Sequence, residues 1–499
     1  MEKEIANSSV VTRTVVIATL AACLAAVLLF FKIGGVAAGL PFAALPFVLL
    51  FVGMIFAKPQ VGFLAMFVAN YFALGIARYL PAPLGLTVDG LLLLTWLALF
   101  FSQLNHKVAW RTAWNALTAV SIIWFLYALF ELTNPEAVSK TAWFYAMRGV
   151  SLYMFLTIPL TFLLLNDRKY LNTMLKLWAV FTLLAVAKGL MQKLVGVDPW
   201  EKYWLDTVGG KTHLLPQGLR IFSFFSDAAT YGGSMAFSGV TFSIIALNMR
   251  NNKKLKLLFS ITAMLAFYGM LISGTRGALA VPFAGFALYA IISKNIRIMV
   301  IAAIIIVGAF AFLKYTTIGN SVYEIRRFRG GLDKNNDSFQ VRLENQRKLR
   351  AYLATRPFGG GIGSAGNWGL RFSPNTFLAQ TPTDSWFVQI WAEQGKVGLY
   401  LHIGILMFIL ISCGRIIMFK LHDPDLSSKA SAMLSGVFGI IAASYGSGAL
   451  GQMPNGIIIY MGIAFIYMMP AWEKGKDSPP IEKALPSAAS ISSKSIAQP

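Results

Sequence analysis

Residues 296–314 read IRIMVIAAIIIVGAFAFLK, an uninterrupted apolar run closed by a cation near each end. Nineteen residues of helix rise almost 30 Å, the thickness of a bilayer's hydrocarbon core, so this stretch is read as a membrane-spanning helix. Similar runs recur along the whole chain, at 12–32, 36–57, 60–78, 86–103, 112–132, 144–166, 170–194, 226–249, 254–272, 276–293, 397–419, 430–449 and 454–471. Composition agrees: 57% of the 499 residues are hydrophobic and only 13% charged. A soluble chain carries about twice that share of charge. The fold class predicted is all-α, a polytopic bundle of about fourteen spans with one large external loop.

The excess of 43 Lys and Arg over 21 Asp and Glu, a formal charge of +22, would suggest nucleic acid in a soluble protein. In a membrane protein it marks the cytoplasmic side. With the amino terminus inside, alternate links collect Lys58, then Lys107 and Arg111, then Arg168 and Lys169. The same set continues through Arg250, Lys253, Lys254 and Lys256 to Lys294 and Arg297, Lys420 and Lys429, and finally Lys474 and Lys476. Both termini are therefore expected in the cytoplasm. The run at 12–32 is too long for a signal peptide and follows Glu2 and Glu4, so it reads as an uncleaved helix. One membrane domain, 1–472, is expected, with 473–499 as a disordered cytoplasmic tail rich in Ser, Pro and Lys. Cys23 and Cys413 both sit in apolar runs, which leaves no disulfide framework and no metal cluster.

Two external segments, 195–225 and 315–396, are much longer than the other links. The larger opens with Arg326, Arg327 and Arg329, then a turn-rich stretch. A helix is predicted over 338–355, with Val341, Leu349, Tyr352 and Leu353 on one face and Arg342, Arg347, Lys348 and Arg350 on the other. Pro357 ends it, ahead of a glycine run at 359–363 that lacks the Lys-Ser/Thr of a phosphate-binding loop and follows no strand. The basic cluster answers either to solvent and lipid headgroups or to an anionic substrate held by guanidinium forks. In the shorter segment, Pro199, Trp200, Tyr203 and Trp204 read as an interfacial belt, and His213 has no companion ligands. Arg220 precedes a helix starting near Ser226-Asp227, whose free N–H groups would add to an anion site. Arg276 sits in a tight link between two spans, where an unpaired charge is costly and a functional role is expected.

At these residues the chain resembles a known family. Ser273-Gly274-Thr275-Arg276-Gly277-Ala278 is similar to the Ser-x-Thr-Arg-Gly-Ala element of the O-antigen ligase/O-antigen polymerase superfamily. Arg342, the following helix and Pro357-Phe358-Gly359-Gly360-Gly361-Ile362-Gly363 resemble its large external loop. Asp384-Ser385-Trp386 through Gly398-Leu399 resembles the element that closes that loop, and Arg220 the upstream family arginine. The resemblance covers about 215–420. It implies a membrane glycosyltransferase that needs no cofactor, metal or nucleic acid. Such an enzyme works on the outer face of the bacterial cytoplasmic membrane, among envelope polysaccharide-assembly proteins. It takes a glycan from an undecaprenyl-pyrophosphate carrier and passes it to an acceptor glycan or lipid.

The catalytic residues expected are Asp384, Arg276 and Arg220. Arg342, Arg347, Arg356, Gly361, Gly363 and Ser385 are expected to contact pyrophosphate or glycan. Where ligases of the family carry His-Asn, this chain has Asp384-Ser385, which favours polymerisation of O-antigen or exopolysaccharide repeats over ligation to lipid A core or protein. Asp384 is also placed to cap the following helix, and Glu393 to pair with a loop arginine. A transporter or flippase would explain the spans without chemistry, with Lys188 as its clearest intramembrane charge.

Overall fold

The computed structural model describes residues 43–80, 83–105, 108–215, 218–321, 323–331 and 337–473. The helices are α1 (Ala43–Ala57), α2 (Pro59–Ile76), α3 (Leu86–Asn105), α4 (Ala116–Phe130), α5 (Lys140–Leu164), α6 (Arg168–Leu194), α7 (Ala228–Asn248) and α8 (Lys253–Ile272). They continue with α9 (Arg276–Ile292), α10 (Ile296–Tyr315), α11 (Tyr323–Gly330), α12 (Asp337–Tyr352), α13 (Trp386–Phe419), α14 (Pro424–Ala443) and α15 (Asn455–Glu473). Eleven of these are long and apolar enough to cross a membrane, and α1 and α9 are shorter apolar helices. Each predicted span from 60–78 onward coincides with one of them. The span at 12–32, the first part of 36–57 and the tail from 474 lie outside the described residues. The fold is an all-α, polytopic bundle, with one two-stranded hairpin, Leu214–Leu215 against Gly218–Leu219, in its external segment.

Side-chain size decides which helices lie inside. With lipid as apolar as leucine, helices gain little by burying leucine against one another, and small residues that let backbones approach mark the contacts. α7 carries Gly232, Gly233, Ser234, Ser238 and Gly239, is buried along nearly its whole length, and packs against α8, α9 and α14. α10, dense in isoleucine, has no buried residue and touches the bundle mainly along α9. Two largely buried cations among the spans are paired, as a low-dielectric setting favours. Arg148 of α5 meets Asp89 of α3 at 2.6 Å, and Lys188 of α6 meets both Asp198 and Glu201 at 3.1 Å.

Over one end of the bundle folds the segment from α11 to the start of α13. It has its own small core, in which Leu349 and Leu353 meet Ala365, Leu378 and Ala392. Val341, expected on the apolar face of α12, is instead exposed. α13 is two helices joined at Gly395, whose φ of 63° and ψ of −163° are open only to glycine. The glycine run wraps this break. The N–H of Gly360 donates to the Ala392 carbonyl at 3.0 Å, that of Gly361 to Glu393 at 2.7 Å, and that of Val397 to Pro357 at 3.2 Å. A Cβ on Gly395 would stand 2.0 Å from the Pro357 oxygen. Gly395→Ala is therefore expected to cost at least about 2 kcal/mol and lower the unfolding midpoint in detergent. Gly404→Ala, at a helical site where a Cβ meets nothing within 4 Å, is the control and should be neutral or mildly stabilising.

Candidate functional site

A cavity of about 600 Å³ opens at the end of the bundle covered by the segment from α11 to the start of α13. Arg220, Arg276, Arg327 and Arg342 line it, with Asp384 as the one carboxylate among its described lining residues. Phe283 of α9, Phe310 and Leu313 of α10, and Phe328 of α11 add apolar surface to its lining. Among the described residues, four guanidinium groups and one carboxylate meet there beside apolar side chains, an arrangement that can hold an anion.

Each arginine is aimed by local structure. Arg220 follows the second strand of the hairpin and donates through Nη1 to the Thr212 carbonyl and through Nη2 to the Thr275 hydroxyl, both at 3.1 Å. That hydroxyl in turn donates to the Ala228 carbonyl at 2.8 Å, at the start of α7. The turn bearing Thr275 and Arg276 is pressed onto α7 at Gly232, where a Cβ would lie 2.3 Å from the Ser273 hydroxyl. Gly331 packs against the stem of Arg276, and the stem of Arg327 lies over Gly274. Arg327 had no distinguishing signal within the basic run 326–329, and only the fold of α11 singles it out.

Arg342 Nε donates to Asp384 Oδ2 at 3.1 Å, and the pair is half-exposed, 42% and 49%, on the cavity wall. The cap of α13 is not Asp384. Ser385 takes that role, accepting from the Val388 N–H at 3.5 Å while its hydroxyl donates to the Ser444 carbonyl at 3.2 Å. Asp384 is thus released from capping, and Ser385 is buried beside the cavity.

The remaining expected contacts lie apart, and none is among the described residues lining the cavity. Arg347 reaches Glu344 on the exposed face of α12 at 3.6 Å. Arg356 stacks on Tyr352 and pairs with Glu136 at 3.0 Å. Gly361 and Gly363, both with positive φ, fit against Ala137 and Ala142, which ties this segment to the link before α5 and to the first turn of α5. Glu393 is buried and, in place of an arginine, accepts from the Gln389 amide at 3.2 Å. Lys188 is engaged by Asp198 and Glu201 and does not stand alone in the membrane.

The segment 195–225 is better built than its composition suggested. Trp204 packs on His213 and Phe222, while Trp200 and Tyr203 face outward at 57% and 71% exposure, as an interfacial belt would. Arg78 lies between the rings of Trp204 and Phe222, at 4.5 and 4.4 Å, and donates to the carbonyls of Ser223 and Phe225. The first N–H groups of α7 are not open to a ligand. Asp227 accepts from Ala229 and Thr230 at 2.8 Å each, and His213 Nε2 accepts from Ala228 at 3.1 Å. With Nδ1 donating to the Gly209 carbonyl at 2.8 Å, His213 is a neutral strut. Among the described residues no group of three His, Cys, Asp or Glu side chains could hold a metal.

The fold and the cavity define a multi-pass membrane protein with a cationic cavity that is partly apolar. Residues 261–403, from within α8 into α13, match the family model described as O-antigen ligase. The matched stretch contains Arg276, Arg327, Arg342 and Asp384; Arg220 lies ahead of it. No curated protein matches the chain.

Burial holds the imidazole of His213 below its ordinary pKa of 6.5. The unfolded chain therefore takes up a proton there that the folded chain refuses, and stability falls as pH drops below that ordinary value. Lowering pH from about 7.5 to about 5 should reduce the unfolding midpoint, and His213→Gln should show a smaller pH-dependent drop.

Proposed function

We propose that the protein transfers a glycan from a polyprenyl-pyrophosphate carrier, undecaprenyl in a bacterial host, to an acceptor hydroxyl on the outer face of the cytoplasmic membrane. The observation that carries this reading is the convergence of four arginines and Asp384 on one cavity that is also partly lined by apolar side chains. A pyrophosphate at the membrane surface needs that combination: cations for its oxygens and an apolar exit for its isoprenoid chain. The family match at 261–403 supports the same class of reaction.

In the proposed step the acceptor oxygen attacks the anomeric carbon of the donor. Its O–H proton passes to Asp384, through the carboxylate oxygen that Arg342 Nε does not occupy. The bond from the anomeric carbon to the phosphate oxygen breaks, and the pyrophosphate departs with the electron pair. Arg220, Arg276 and Arg327 oppose the negative charge that grows on it. Arg220 is already held by Thr212 and Thr275, so little of its freedom is lost when the substrate binds. The Asp384-Ser385 pair favours a polymerase of O-antigen or exopolysaccharide repeats over a ligase.

Purified protein in lipid, given undecaprenyl-pyrophosphate-linked oligosaccharide from the host, is expected to release undecaprenyl pyrophosphate and build a ladder of longer glycans. A single addition to another acceptor would mark a ligase instead, and binding or movement of the lipid without release would mark a transporter. Arg276→Ala should lower turnover by about a hundredfold or more with normal membrane insertion, and Arg276→Lys should be nearly as impaired, since an ammonium lacks the two-pronged fork. Asp384→Asn should lower turnover by about a hundredfold while leaving donor affinity within about threefold.

A further inference from the structure

On the far side of the Arg342–Asp384 pair from the main cavity lies a second, smaller groove of about 50 Å³ between α12, the start of α13 and the link after α14. The two share Phe339, Arg342, Asp384 and Gly446, so the ion pair is the wall between them. Their chemistry differs sharply. The first is cationic and partly apolar. Among the described residues lining the second, the only charges are Arg342 and Asp384, which neutralise one another, and the other polar groups are Asn345, Gln346 and Tyr445, with Ser385 held in its cap.

The carboxamides of Asn345 and Gln346 and the phenol of Tyr445 make no hydrogen bond to other described residues, although both amides are half-buried. Each amide offers donors and an acceptor together, which suits the paired hydroxyls of a sugar. Tyr445, 68% exposed, and Phe339 present aromatic surface at the groove's edges. An anion would find no net charge here, and a lipid tail would meet unpaired amides. The groove's size admits the edge of a sugar ring, with the rest of a glycan lying over the open surface.

We infer that this groove is the acceptor subsite and that it takes a neutral carbohydrate, delivering one of its hydroxyls across the wall to Asp384 while the donor occupies the main cavity. The inference rests on the glycan-transfer reading above and adds the side from which the acceptor comes. Asp384 is the one carboxylate common to both spaces among their described lining residues, so a base there can take the proton of a nucleophile arriving from one side while the donor lies on the other.

The test is acceptor kinetics on the full chain in lipid. The donor is undecaprenyl-pyrophosphate-linked oligosaccharide from the host, and the acceptor analogue is the same oligosaccharide freed from its carrier by mild acid. The double variant Asn345→Ala/Gln346→Ala should raise the acceptor KM about tenfold, the loss expected for two hydrogen bonds, with donor Kd within about twofold. Tyr445→Ala, at an exposed position where folding is not at stake, should raise the acceptor KM about threefold or more. An unchanged acceptor KM in both variants overturns the subsite. An equal loss of donor affinity also overturns it, since the groove would then belong to the donor. If the unaltered protein releases no carrier pyrophosphate, the glycan-transfer reading itself falls, an outcome visible before any variant is made.

Discussion

The Thr275 hydroxyl is the joint on which the site is assembled. It donates a hydrogen bond to the Ala228 carbonyl and accepts one from Arg220, so a single oxygen ties the first turn of α7, the α8–α9 link and the hairpin ahead of α7. Its own backbone N–H is held by the Ser273 hydroxyl at 3.2 Å. The joint works because α7 has glycine at position 232, which lets the link sit directly on the helix backbone. Two arginines 56 positions apart thereby enter one cavity from fixed bases, and α11 and α12 need only close over them.

The membrane setting explains why this joint is polar. In lipid the contrast between apolar surfaces vanishes, so geometry comes from close backbone contact and from hydrogen bonds that have no water to replace them. The same logic governs the external lock. The glycine run beside Gly395 spends its N–H groups on the carbonyls of Ala392 and Glu393, which a helix break would otherwise leave without partners. Ser385 caps the same helix about two turns before that lock, with Asp384 just ahead of it, so the position of the proposed base depends on the backbone of Pro357 to Gly363.

The spans were legible because twenty apolar residues leave few alternatives, and their predicted limits agree with the helices to within a few residues except at α13 and α14. α14 lies six residues earlier at both ends, and α13 starts eleven residues earlier than an apolar count suggests, since Ser385 caps it well before the membrane segment. Arg220, Arg276, Arg342 and Asp384 were legible through motif and setting together. Arg327 was not, because neighbouring arginines in one run differ only in the direction the helix gives them. The N–H groups of α7 looked open in sequence because their second acceptor, His213, lies fifteen residues upstream. Arg347 and Arg356 stand away from the cavity, each paired with a carboxylate, Glu344 one helical turn back and Glu136 on the link before α5.

Phe310 and Leu313 close one side of the cavity from α10, a helix with no buried residue. That side is thus a single layer of side chains with bilayer behind it. The hydrocarbon chain of the proposed carrier, entering there, would never be enclosed; beyond its first few carbons it would be in the same solvent that surrounds the protein. Such a boundary would give the protein no ruler for tail length. Discrimination would then fall to the charged and hydroxylated end of the carrier, with the bilayer as the unbounded remainder of the proposed site.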